Sequence, residues 1–84
     1  MNIVELIEKA RAGFLSISNL TIDGVIGFVK NDEEAVITLE VLERRAVPNT
    51  MDVLGVYEVK VDNWGNIIGY SRKSLRRRSD TGDN

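Results

Sequence analysis

The hydrophobic period of this chain changes once, at about Thr21, and that change constrains the fold more than any other feature. Before it, Ile3, Ile7, Ala10 and Phe14 recur at helical spacing, with Val4 and Leu6 broadening the stripe. Glu5, Glu8, Lys9 and Arg11 take the wet side, and Glu5–Lys9 is a favourable i, i+4 pair. Residues 2–16 are therefore predicted as a helix. Asn2 serves as N-cap, and Glu5 at the third helical position completes a capping box. At the other end Ser16, Ser18 and Asn19 compete for backbone hydrogen bonds, while Ile17 and Ile22 favour extension.

From Thr21 onward the period is two. Ile22, Gly24, Ile26 and Phe28 alternate with Thr21, Asp23, Val25 and Gly27 as a first strand, closed by a polar hairpin at residues 30–34. Residues 35–45 form a second strand, with Ile37, Leu39 and Val41 on one face and Thr38, Glu40 and Arg44 on the other. Pro48-Asn49-Thr50 breaks the ladder, because proline has no amide to donate. A third strand, residues 51–62, alternates Val53, Tyr57, Val59 and Val61 with Asp52, Glu58 and Lys60. Asp62-Asn63-Trp64-Gly65 reads as a tight turn with Gly65 at positive φ, and residues 67–74 as the last strand. The expected fold class is α+β: an N-terminal helix packed on one face of a four-stranded antiparallel meander sheet. Residues 1–75 form a single α+β domain, and residues 76–84 a basic, then polar, disordered tail.

With 84 residues, 43% of them apolar, there is room for one thin core and no second domain. Cysteine and histidine are both absent. That removes disulfides, the common zinc sites, every Cys–His or Ser–His arrangement and the usual neutral-pH acid–base group. No cofactor and no enzymatic activity are expected. Residues 1–71 carry a net charge of −5 and residues 72–84 a net charge of +3. A body of one sign with a tail of the other points to a partner. No apolar run is long enough to span a bilayer, and the N-terminus lacks the pattern of a signal peptide, so a cytoplasmic protein with no membrane partner is expected.

Two surfaces stand out. Leu42, Leu54 and Val56 fall on the face that also carries Glu40, Arg44, Glu58 and Lys60. If the helix covers the other face, these three point to water, either as scattered surface residues or as a patch covered by a partner protein. Arg72, Lys73, Arg76, Arg77 and Arg78 form the basic cluster. It reads as a solvated end, or as a contact for an acidic protein surface. The acidic body and the lack of interleaved aromatics argue against nucleic acid. Asp32, Glu33 and Glu34 sit in a hairpin loop without the spacing of a calcium site, and Glu40 and Glu43 face opposite sides of their strand.

One stretch carries a pattern. Glu40, Glu43, Pro48, Asp52, Val53, Leu54, Tyr57, Glu58, Val59 and Asp62, then Gly65, Gly69 and Tyr70, resemble the gas vesicle protein O family, as does the upstream Gly24-Val25-Ile26-Gly27. The family's arginine two positions before the proline is Ala46 here. The resemblance implies a non-enzymatic accessory protein required for gas vesicle formation, cytoplasmic and gas vesicle-associated. It implies protein–protein contacts with other gas vesicle proteins, first among them the AAA-type ATPase gas vesicle protein N. The candidate contact residues are Leu42, Leu54, Val56, Arg44, Glu58 and the basic Arg72, Lys73, Arg76, Arg77 and Arg78. Two alternatives remain open. One is a peptide- or protease-binding module, since Tyr57 to Asp62 with its Gly turn and Ile67 also resembles the last hairpin of PepSY-type domains. The other is a small nucleic-acid binder using the basic C-terminal tail.

Overall fold

Asn2 and Glu5 close the start of α1 (Ile3–Ser18) reciprocally, as the capping box requires. The Glu5 amide donates to Asn2 Oδ1 at 2.8 Å, and the Asn2 amide donates to Glu5 Oε1 at 3.0 Å. A computed structural model of the chain describes residues 2–79. The helix outlasts its predicted end at residue 16. Asn19 takes the left-handed conformation at φ 63°, and its amide donates to the Leu15 carbonyl at 2.8 Å. Asparagine tolerates that region, so it caps the helix where serines alone do not. The buried line is Leu6, Ala10 and Phe14, with Ile7 partly buried. At 100° per residue Val4 falls nearly opposite Leu6, which leaves it 68% exposed, and Ile3 is 53% exposed. The predicted stripe therefore holds at Leu6, Ile7, Ala10 and Phe14 and fails only in the first turn, at Ile3 and Val4.

The sheet order is β1-β2-β3-β4, antiparallel throughout, from β1 (Thr21–Lys30), β2 (Glu34–Arg44), β3 (Val53–Asp62) and β4 (Ile67–Arg77). α1 touches β1, β3 and β4. Ala35, Ile37, Leu39 and Val41 of β2 and Tyr57, Val59 and Val61 of β3 meet Leu6, Ala10 and Phe14 in the core. The α+β meander and its central core face are as expected.

β1 departs from simple alternation. Register shifts between Ile22 and Gly24, and between Val25 and Gly27, each insert an extra residue. The core contributions come at Ile22, Val25 and Phe28, opposite Val41, Leu39 and Ile37. Ile26, expected among the strand's apolar set, is 57% exposed. The β3–β4 turn follows the expectation: Gly65 has φ 84°, and its amide donates to the Asp62 carbonyl at 3.0 Å. Asp62 Oδ1 accepts from the Trp64 and Asn66 amides at 2.9 Å. The Asn66 amide above all holds this carboxyl below its ordinary range. Lys9 Nζ donates to the Trp64 carbonyl at 2.9 Å and ties α1 to the turn.

The boundary at residue 75 is not where the fold ends. β4 runs through Arg77, the Arg78 amide donates to the Asp52 carbonyl at 2.8 Å, and the Ser79 amide to the Thr50 carbonyl at 2.9 Å. The chain continues in the sheet because acidic side chains on other strands hold its arginines. Residues 80–84 of the predicted tail lie outside the described residues. Deleting residues 76–84 should therefore lower the thermal midpoint by several degrees in a calorimetric or circular dichroism melt, whereas an unpaired tail would leave it unchanged.

Candidate functional site: charged networks around an exposed loop

On the face away from α1, β3 is bridged by an ion pair between its two neighbours. Glu40 of β2 stands opposite Val56, and Arg76 of β4 stands opposite Leu54. Arg76 Nε and Nη2 both donate to Glu40 Oε2, at 2.9 and 2.6 Å, so the pair crosses β3 over Leu54 and Val56. Long side chains of this kind cover apolar neighbours with their stems. Leu54 is only 1% exposed, and Leu42 and Val56 are half-buried. The expectation that Leu54 points to water is corrected: the outward face of β3 is roofed by charge, though not by the helix. Glu58 pairs with Lys73 at 3.6 Å. A register shift between Leu42 and Arg44 leaves Glu43 as the extra residue and sets Arg44 opposite Val53, on the helix side.

That shift also creates the second network. Glu40 looks outward and Glu43 inward, as their spacing predicts. Glu43 Oε2 accepts from the Tyr57 hydroxyl at 2.7 Å and lies 3.7 Å from Arg72 Nη1. A Cβ on buried Gly55 would run into the Glu43 carboxylate, so glycine there is what lets this side chain cross the strand. Phe14 packs on Tyr57 with ring centroids 5.2 Å apart and edge-on to Tyr70 at 5.3 Å. Burial first, and then the Glu43 carboxylate, raise the Tyr57 hydroxyl above its ordinary 10.0. The unfolded chain then loses this proton at lower pH than the folded one. The contribution is fully present below pH 10.0 and is lost as pH rises through the raised folded value. Tyr57→Phe should flatten this alkaline loss of stability in denaturant titrations run across that window.

A third network ties down the connection between β2 and β3. Asp52 is 4% exposed, and its Oδ1 accepts from the Ala46 amide at 2.7 Å. Its Oδ2 accepts from Arg78 Nε at 3.3 Å, and Arg78 Nη2 donates to Asp23 Oδ1 at 3.2 Å. Both partners raise the Arg78 pKa, Asp23 foremost. On the loop so held, Val47 is 99% and Met51 41% exposed. Sequence patterning placed Glu43 opposite in facing to Glu40 but did not foresee its bond to Tyr57, and it did not single out Val47. The signal for the Glu43–Tyr57 contact was Gly55, a strand glycine of the sort that marks a close approach.

Of the predicted contact residues, Arg72, Lys73, Arg76 and Arg78 are thus held by Glu43, Glu58, Glu40 and the Asp23–Asp52 pair. Arg44 and Arg77 flank Val53 from opposite sides. In the acidic hairpin, Asn31 Oδ1 accepts from the Glu33 and Glu34 amides at 3.1 and 2.9 Å, and Glu34 pairs with Lys60 at 3.5 Å. Among the described residues no group of three His, Cys, Asp or Glu side chains could hold a metal ion. No helix among them is long and apolar enough to cross a membrane.

These features define a small α+β domain in which acidic and basic side chains cross-link a bulged meander sheet. Its sequence matches the family model of gas vesicle synthesis protein GvpO over residues 1–82, and the chain belongs to that family. It is 36% identical to gas vesicle protein O1 of Halobacterium salinarum over 72 residues, which is 86% of this chain and 60% of that protein. It is 32% identical to gas vesicle protein O of a Streptomyces species over 79 residues, 92% of this chain and 62% of the other. Identity to gas vesicle protein O of Haloferax mediterranei is 43% over 42 residues, 50% of this chain and 30% of that one. The chain thus spans about three fifths of the length of the first two relatives. No solved structure matches it.

Proposed function

We propose that this chain is a non-enzymatic accessory protein of gas vesicle formation, working through contacts with other gas vesicle proteins. The observation that carries this reading is the family match over residues 1–82. The use of charge within the fold supports it: Glu40, Glu43, Asp52, Arg76 and Arg78 hold strands together, and none is left poised for proton transfer in a cleft. The protein is cytoplasmic on this reading and associates with the vesicle during its assembly. Its first candidate partner is the AAA-type ATPase gas vesicle protein N, carried over from the family resemblance. The basic side of β4, through Arg72, Lys73, Arg76 and Arg77, with Arg78 just after it, together with Glu58, Arg44 and the half-buried Leu42 and Val56, supplies candidate contacts. Leu54 is withdrawn from that set.

The test is genetic and then biochemical. In a vesicle-forming cell, removing the gene should abolish vesicles and buoyancy, and restoring it should return both. Normal vesicles without it would end the reading. Purified gas vesicle protein N should form a complex with this protein that weakens as salt is raised, as contacts between charged surfaces do.

A further inference from the structure

The β2–β3 connection combines two properties that do not usually go together. It is tied down at several points: Asp52 accepts from Ala46 and Arg78, and the Thr50 carbonyl accepts from Ser79. Yet it displays Val47 at 99% exposure and Met51 at 41%. A loop held in one shape loses little further entropy when something docks on it, which is the basis of pre-organised binding. The fold gains nothing from Val47, which touches no core. Its surroundings are basic: Arg45 lies two residues before it, and Arg44 faces Val53 in register. Arg44 and Arg45 take part in no ion pair among the described residues, unlike Arg72, Arg76 and Arg78. The two exposed arginines therefore add positive charge that the fold itself does not neutralise, on a protein whose net charge is −2.

We infer that this loop is a docking surface for an acidic segment of a partner protein that carries apolar side chains, with Val47 and Met51 as the apolar contact and Arg44 and Arg45 as its charged flank. The charge selects an anionic partner, and the exposed valine and methionine select a protein over a nucleic acid, since neither offers a ring on which a base could stack. The surface deepens the reading of the chain as a gas vesicle protein that works by contact, and rests on it for the partner's biological identity alone.

The test uses the purified full chain and a short fluorescent peptide of glutamate and leucine, followed by anisotropy, so that it stands apart from any vesicle assay. The peptide should bind, and binding should weaken steeply with salt. Val47→Asp should reduce affinity about tenfold or more, with an unchanged melt because the side chain is already in water. The double variant Arg44→Glu/Arg45→Glu should do the same. Lys30→Glu/Lys60→Glu, which changes charge equally at the far end of the sheet, should leave binding within about twofold. Peptide binding that ignores both loop variants, or no binding at all, overturns the proposal. So does tighter binding of single-stranded DNA than of the peptide, or a Val47-dependent self-association by sedimentation, which would make the occupant a second copy. If the peptide results hold while vesicles form normally without the gene, the docking surface stands and the gas vesicle reading falls.

Discussion

Aspartate in place of Leu54 should unfold the domain, or remove at least about 3 kcal/mol of its stability. The position is 1% exposed beneath the Glu40–Arg76 pair. A carboxylate there takes the place of an apolar side chain in a closed site, next to Glu40 and in competition with it for the arginine. Val56→Asp, at a half-buried position on the same face, should cost distinctly less. Urea denaturation followed by circular dichroism compares the two, and equal small effects would mean that the ion pair leaves β3 open to water.

Phe14→Ala should cost roughly 3–5 kcal/mol, since a fully buried ring leaves a cavity that the sheet cannot close. A domain of this size has a total stability on the order of 5–10 kcal/mol, so the variant should sit near its unfolding threshold at ordinary temperature. The ring is wholly buried and contacts both Tyr57 and Tyr70. Tyr57→Phe keeps the volume and removes only the hydroxyl bond to Glu43, so it should cost about 1–3 kcal/mol. The ordering of the two losses, measured in the same denaturant series, is the discriminating result. A larger loss at Tyr57 would place the anchor of the helix in the carboxylate network and not in the aromatic packing.

Elements were legible where one strong local signal had no competitor. The capping box at Asn2 and Glu5 is written in four consecutive residues, and the turn before Gly65 in another four. The core face of β2 and β3 follows from alternation alone, because these are central strands with one face under the helix. β1 was misread for the opposite reason. As an edge strand it tolerates two bulges, each ending at a glycine, Gly24 and Gly27, and each moves the register by one residue, which plain alternation does not follow. The exposed-patch reading failed at Leu54 because sequence shows which residues share a face, not what a charged pair from two other strands lays across that face. The resemblance to the gas vesicle protein O family was legible in the spacing from Glu40 to Asp62, whereas the loop at Val47 lay inside that stretch unmarked.

The sequence by itself determined the helix-then-sheet order, the central core and the family. Those properties rest on contacts between near neighbours in the chain, or on a periodicity that a single strand carries whole. Only the tertiary structure decided that Arg76 reaches Glu40, that Arg78 joins Asp23 to Asp52, and that Glu43 passes over Gly55 to Tyr57. Each of these joins positions that pairing register brings within reach across the sheet, and a bulge of one residue changes the partner. Charge pairing at long range is degenerate in sequence, since any of 11 basic side chains can answer any of 13 acidic ones until the strands are in place.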